Sequence, residues 1–283
     1  MKEKTIGIIG NGFVGGAVLS AFSTTNKMMV YDKNKTNSIN TLKEVVQESD
    51  FIFVSVPTPM RNVRGGEIDL SIVSQVLRDI GEHSPKKDTI IILKSSVVPG
   101  SVEKMIKDNP ELNIVYNPEF LREKTARLDF LNPSRIVIGG SLENVKEVKK
   151  LFQFRFPFSK ILITDVTTAQ MIKYMANCFL ATKVSYINEM YQVAQKLGVN
   201  WNEALEGFAL DGRIGLSHIT VPGPDGQLGF GGKCFPKDIN AMIHLCQDVG
   251  VDPTVLKAAW EKNLEVREDL DWATIKGAVS DSE

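Results

Sequence analysis

Cysteine is scarce in this 283-residue chain. Its three residues, Cys178, Cys234 and Cys246, are odd in number and lack the paired spacing of a metal ligand set or a disulfide framework. No metal is therefore expected, and a reducing cytoplasm is the expected location, with Cys178 and Cys246 as core residues on helices. Net charge is almost nil: 33 Lys and Arg face 34 Asp and Glu, for a formal −1. Nothing in that balance attracts nucleic acid or an anionic membrane, so any grip on a phosphate must be local. Long apolar runs are missing too. None approaches the roughly 20 residues of a membrane span. The N-terminal residues run straight into a strand that Gly10, Asn11 and Gly12 interrupt, which is no signal peptide.

What is present points to α/β architecture. Short β-branched runs at Thr5–Gly10, Met28–Asp32, Phe51–Val56, Thr89–Lys94, Asn113–Asn117, Arg135–Gly139 and Lys160–Thr164 alternate with helical patterns such as Leu70–Glu82 and Leu142–Phe152. Nearly continuous apolar strands of this kind are covered on both faces, as in a doubly wound parallel sheet. Near Asp165 the character changes. From Thr167 to Gly198 there is no proline and no internal glycine, and Met171, Tyr174, Met175, Phe179, Val184, Ile187, Met190 and Val193 recur at helical spacing. The pattern predicts a helix of about 30 residues, spanning about 45 Å, capped by Thr167 or Thr168 and shared between domains or subunits. Further helices are expected at Trp201–Phe208, Ile239–Gln247 and Thr254–Arg267, with a glycine- and proline-rich loop from Asp211 to Gly232. The expected organisation is a Rossmann domain over residues 1–165, an all-helical central or dimerisation domain over 166–268, and a tail over 269–283 whose last five residues are polar and frayed.

Ile6-Gly7-Ile8-Ile9-Gly10-Asn11-Gly12-Phe13-Val14-Gly15 reads as strand, tight turn and helix start. Gly10, Gly12 and Gly15 match the dinucleotide fingerprint, in which glycine permits the turn, the approach of a pyrophosphate and close helix packing. Free N–H groups at the helix start, from Phe13 and Val14 on, suit the phosphates. Asp32, about 20 residues on, stands where a carboxylate bonds the ribose hydroxyls of NAD. Lys33 and Lys35 leave some room for NADP.

Gly229-Phe230-Gly231-Gly232-Lys233-Cys234-Phe235-Pro236-Lys237-Asp238 puts a cysteine in a glycine-rich turn between lysines, which favour its nucleophilic thiolate. Three further segments fall at strand ends on the ligand side of such a sheet: Val56-Pro57-Thr58-Pro59, Lys94-Ser95-Ser96-Val97-Val98-Pro99-Gly100 and Asn117-Pro118-Glu119-Phe120-Leu121-Arg122-Glu123. Glu119 and Glu123 share a face if that turn is helical, and Lys173 and Asn177 are also four apart. Beside NAD this set suits a two-stage oxidation. An alcohol becomes an aldehyde, the thiol traps it, a second hydride leaves to give a thioester, and water releases an acid. Lysine and asparagine donors stabilise the developing oxyanion.

The motifs GNGFVG, VPTP, KSSVVPG, NPEFLRE, the K-x-x-x-N of the long helix, DGRIG and GFGGKCFPKD together resemble the UDP-glucose 6-dehydrogenase family and, more broadly, the nucleotide-sugar dehydrogenases. The resemblance implies four-electron oxidation of a UDP-glucose C6 alcohol with two NAD consumed. GDP-mannose or another UDP-hexose, or sugar-nucleotide binding without turnover, are the alternatives. It further implies that Cys234 is the nucleophile, that Lys173 and Asn177 stabilise charge, that Asp238 orders water, and that Glu119 and Glu123 lie by the sugar and the hydrolytic water. Phe120, Leu121, Arg122, Phe230 and Gly231 would contact substrate. Val56, Pro57, Thr58, Ser96, Glu123, Lys33 and Lys237 would lie by the cofactor. Arg213 would be lent to the neighbouring subunit of a homodimer formed through the long helix. Three departures stand out. Ser96 replaces the usual threonine, the Asp32–Phe51 segment is short, and Ile275–Val279 resembles the start of a third domain that in the family holds much of the nucleotide. The loop Val221–Gln227 is expected to replace some of those nucleotide contacts.

Overall fold

The computed structural model describes residues 3–280, so residues 281–283, part of the expected frayed end, lie outside the described residues. The chain forms two compact units. The first takes residues up to Thr58 and Leu70–Lys173; the second takes Pro59–Asp69 and the residues from Tyr174 on.

All seven expected strands of the first unit are present: β1 (Thr5–Ile9), β2 (Lys27–Tyr31), β3 (Phe51–Val54), β4 (Ile90–Leu93), β5 (Asn113–Tyr116), β6 (Ile136–Gly139) and β7 (Ile161–Thr164). They form one sheet in the order β2-β1-β3-β4-β5-β6-β7. The fold is the expected Rossmann-like sheet with one difference. The β5–β6 pair is antiparallel, joined at Tyr116 and Gly139. Successive strand residues point to opposite faces, and both faces are covered. Ile52, Val54, Ile91 and Leu93 enter one core. Phe51, Phe53, Ile90 and Ile92 enter the other. Two-sided burial explains why no polar alternation is visible in these strands. The helices of this unit are α1 (Phe13–Phe22), α2 (Leu42–Glu48), α3 (Ser71–Glu82), α4 (Ser101–Asp108), α5 (Ala126–Leu131) and α6 (Leu142–Arg155).

α7 (Val166–Leu197) is 32 residues long and passes from the first unit into the second at Lys173 and Tyr174. The expected threonine cap is not used. Asp165 caps instead, its carboxylate accepting from the Thr168 N–H at 2.8 Å and the Thr168 hydroxyl at 2.7 Å. A carboxylate there also suits the positive end of the helix dipole.

α8 (Trp201–Ala209), α9 (Phe235–Asp248) and α10 (Thr254–Val266) complete the second unit. Its core joins Met60, Phe230, Ile239, Trp260, Trp272 and Ala278. Residues 59–69, expected in the first domain, belong here for a stated reason. Buried indole N–H groups need acceptors, and Trp260 and Trp272 donate to the carbonyls of Arg64 at 3.1 Å and Val63 at 2.7 Å. Part of the expected tail packs in this unit, where Trp272 and Ala278 are buried. Ile275–Val279 forms a turn ending in an isolated bridge from Val279 to Met60 rather than a strand. The Ser280 N–H donates to the Met60 carbonyl at 2.8 Å. Among the described residues no helix is long and apolar enough to cross a membrane.

Candidate active site

The glycine loop after β1 is built as its fingerprint requires, and each glycine has a different reason to be there. Gly10 has φ +90°, and a Cβ on it would meet the Ser55 carbonyl at 2.6 Å. A Cβ at Gly15 would lie 2.0 Å from the Gly10 carbonyl, so only glycine lets α1 approach the loop. At Gly12 a Cβ would meet no protein atom within 4 Å. The protein does not itself demand glycine there, which fits a position kept clear for a ligand. Gly12 caps α1 without a side-chain bond, and the first turn carries no acid to compete with a phosphate. Asp32 holds this loop. One carboxylate oxygen accepts from the Asn11 N–H at 2.7 Å and the other from the Asn34 N–H at 2.7 Å. A carboxylate has about four acceptor sites, so capacity remains for ribose hydroxyls. Lys33 is exposed beside it.

The loops after β3 and β4 are laced together. The Thr58 hydroxyl donates to the Ser96 carbonyl at 2.8 Å, and the Ser95 hydroxyl to the Val56 carbonyl at 2.7 Å. Pro57 is exposed, and Val56 and Ser96 are half-buried.

Beyond β5 the first unit buries a cluster of charge. Lys173 donates to the Glu119 carboxylate at 2.8 Å and to its carbonyl at 2.7 Å. The two side chains are 2% and 5% exposed, so the pair stands in low dielectric, where a charge without a partner is costly. The Leu121 N–H also donates to Glu119, at 2.6 Å. Lys94, at the end of β4, donates to the carbonyl and side-chain oxygens of Asn117 at 3.1 and 2.9 Å. Burial pushes its ammonium down to about 7; Glu119 opposes that shift and Lys173 adds to it. The Arg135 guanidinium lies 3.9 Å over the Phe120 ring, and Arg122 pairs with Asp129 at 2.6 Å.

In the second unit Cys234 is the N-cap residue of α9 and is half-buried. A helix N-terminus is a position that favours an anion. One turn on, Asp238 is fully buried, held by the Asn177 amide at 2.6 Å and by Lys237. Burial is also what drives the Cys178 thiol far above its ordinary range.

Residues 27–154 match the NAD binding domain of the UDP-glucose/GDP-mannose dehydrogenase family, and residues 167–265 match its central domain. The UDP-glucose 6-dehydrogenase AglM of Haloferax volcanii is 31% identical over 303 residues, covering 91% of this chain and 69% of that one. The chain belongs to the UDP-glucose/GDP-mannose dehydrogenase family. The UDP-glucose 6-dehydrogenase of Rickettsia conorii is 37% identical over 236 residues, which are 82% of this chain and 53% of that one. The chain thus spans about half the length of the first curated relatives it matches. Among solved structures, a UDP-glucose dehydrogenase from the archaeon Pyrobaculum islandicum superposes with a TM-score of 0.82 at 26% identity, over 93% of this chain and 68% of that one. NAD is the cofactor of this family's N-terminal domain, as the loop and Asp32 predict.

For this dehydrogenase family member, the structure changes several expectations about individual residues. Glu119 and Glu123 do not share a helical face. Residues 117–122 carry no regular secondary structure, Glu123 opens a short 3-10 turn, and it is exposed while Glu119 is buried. Pro118 disfavours a helical conformation at Asn117. The ring of Phe230 lies in the core against Phe235 and Trp260, and its backbone N–H and carbonyl both bind Asn263. Lys237 is paired with Asp238. Arg213 is exposed, paired with Asp211 within its own loop. Sequence reasoning passed over Lys94, although the KSSVVPG motif contains it. A lysine closing an all-apolar strand is the signal that could have found it.

Removing the Lys94 charge gives a signed test. In the folded chain Lys94 loses its proton near pH 7, whereas in the unfolded chain it does so near 10.4. Between those values the unfolded state holds one more proton, so this residue adds stability as pH rises. Lys94→Met should erase that slope, worth up to about 1.4 kcal/mol per pH unit. Urea unfolding of parent and variant at pH 7 and pH 9 measures it, and parallel pH dependences would refute it.

Proposed function

We propose that this chain carries out NAD-dependent four-electron oxidation of the C6 alcohol of UDP-glucose to a carboxylate, with Cys234 as nucleophile. The observation that carries the reading is Cys234 at the N-terminus of α9, with the buried Asp238 one turn away and bound to Asn177. NAD, when bound, accepts one hydride in each of the two oxidations. Lys173 stabilises the alkoxide and holds the sugar oxygen. The Cys234 thiolate adds to the aldehyde carbon, and the resulting thiohemiacetal loses hydride and becomes a thioester. Asp238 orders the water that cleaves the thioester, restoring the thiol and releasing the acid. A two-electron alcohol dehydrogenase has no use for a cysteine so placed.

The native state is proposed to be a homodimer. Met175, Phe179, Tyr186, Val193 and Leu197 recur along α7 at helical spacing and are all exposed. A thiol nucleophile and a supply of NAD both suit the cytoplasm. The deciding experiment is NADH formation at 340 nm with limiting UDP-glucose and excess NAD, with GDP-mannose run in parallel. Two NADH per UDP-glucose supports the reading; one NADH per sugar defeats it, and turnover of GDP-mannose alone moves the substrate class.

A further inference from the structure

The backbone leading to Cys234 is gripped by side chains from three other parts of the second unit. Asn188 on α7 accepts from the Gly229 N–H at 3.0 Å. Asn263 on α10 accepts from the Phe230 N–H at 2.7 Å and donates to its carbonyl at 3.0 Å. Both oxygens of the Asp271 carboxylate accept from the Gly232 N–H at 3.1 Å, two residues before the thiol. Arg267 lies behind this contact with its side chain 1% exposed, 2.9 Å from Asp225 and 3.3 Å from Asp271. It also donates to the carbonyls of Leu228 at 3.3 Å and Asp269 at 2.8 Å.

The grip leaves little free space beside the loop. A Cβ at Gly231 would stand 2.3 Å from both Arg267 and Asp271, and one at Gly229 would stand 2.4 Å from Asn263. Asp271 is itself fixed, because the next residue is the core Trp272, whose indole donates to the Val63 carbonyl.

We infer that Asp271, backed by Arg267 and Asp225, is a positioning residue for Cys234, setting the path by which the Gly229–Gly232 loop delivers the thiol to the start of α9. The inference rests on Cys234 being the nucleophile. A charged acceptor holds an amide more firmly than a neutral one. An uncompensated carboxylate near the thiol would oppose thiolate formation, and the buried Arg267 guanidinium supplies the compensation. The same contact assigns the Val221–Gln227 loop a task other than nucleotide binding, since its Asp225 pairs with Arg267.

The test follows two readouts in Asp271→Ala, Asp271→Ser and Asp271→Asn. One is steady-state NADH production from UDP-glucose. The other, which needs no substrate, is the iodoacetamide alkylation rate of Cys234 relative to Cys246, read by peptide mass spectrometry. In Asp271→Ala, kcat should fall at least tenfold with the KM for NAD within twofold, and relative Cys234 alkylation should fall at least fivefold. Asp271→Asn keeps an acceptor and should return both to within threefold of the parent. An alanine variant within twofold of the parent in both readouts overturns the inference, as does an asparagine variant no better than alanine. If Asp271→Ala does not fold, Asp271→Ser carries the same expectations. If the parent turns over no sugar nucleotide, the functional reading fails while the alkylation ratio still decides whether Asp271 positions the thiol.

Discussion

Replacing Cys234 by alanine is expected to abolish acid formation, with a loss of at least about 10³-fold in kcat, the scale seen when a covalent nucleophile is removed. The loss should be this large because no neighbour can substitute. Cys178 is buried and its thiol is pushed strongly away from ionisation. Cys246 lies on α9 three turns beyond Cys234. Lys173 and Asp238 are each held in a buried contact of their own. Without the thiol the aldehyde has no covalent anchor, so the second hydride has no thiohemiacetal to leave from. Cys234→Ser should be nearly as inactive, since a hydroxyl at this position lacks the low pKa a helix terminus can give a thiol. Product analysis by mass spectrometry checks both variants. Acid formation by Cys234→Ala within tenfold of the parent rate would remove Cys234 from the chemistry.

Glu119→Ala should be strongly destabilising, costing about 3–5 kcal/mol as expected for one partner of a buried pair. Glu119 is the anion between two buried lysines, and Lys94 and Lys173 repel each other. Deleting Glu119 removes the buried ion-pair partner of Lys173 and the charge that favours the Lys94 ammonium, while Lys173→Met leaves Glu119 with Lys94 nearby and the Leu121 N–H as donor. The glutamate change should therefore cost more than the lysine change. The double variant Glu119→Leu with Lys173→Met should recover most of the loss, because apolar replacement of a whole buried pair is commonly tolerated. Denaturant midpoints of the three variants rank the losses. A cost below about 1 kcal/mol for Glu119→Ala, or the reverse ranking, would show that the pair is solvated. All three variants should lose turnover, since Lys173 is proposed to hold the reacting oxygen.

The sheet was legible because its strands are short, uninterrupted and apolar, and the glycine loop because only glycine satisfies Gly10 and Gly15. Motif order singles out Asn177 and Asp238, which the structure joins by a hydrogen bond. What stayed hidden depended on partners distant in sequence. The antiparallel turn of β6 is decided by pairing between Tyr116 and Gly139, which no local pattern encodes. α9 was expected to begin at Ile239 but starts at Phe235, since Pro236 fits a first helical turn, where no backbone donor is required. Phe230 reads as a pocket residue until Phe235 and Trp260 are seen around it. Asp271 lies in a stretch without any motif, and its importance emerges only from its bonds to Gly232.

The excursion of residues 59–69 into the second unit bears on how this protein can be dissected. A fragment beginning at α7 would lack Met60, Val63 and Arg64, leaving two tryptophan N–H groups without their acceptors and Val279 without its bridge. During synthesis the ribosome delivers that short segment more than 200 residues before its partners Trp272 and Val279 emerge. The second unit must therefore close late, on a piece of chain made early, and no single cut divides the polypeptide into two self-sufficient halves.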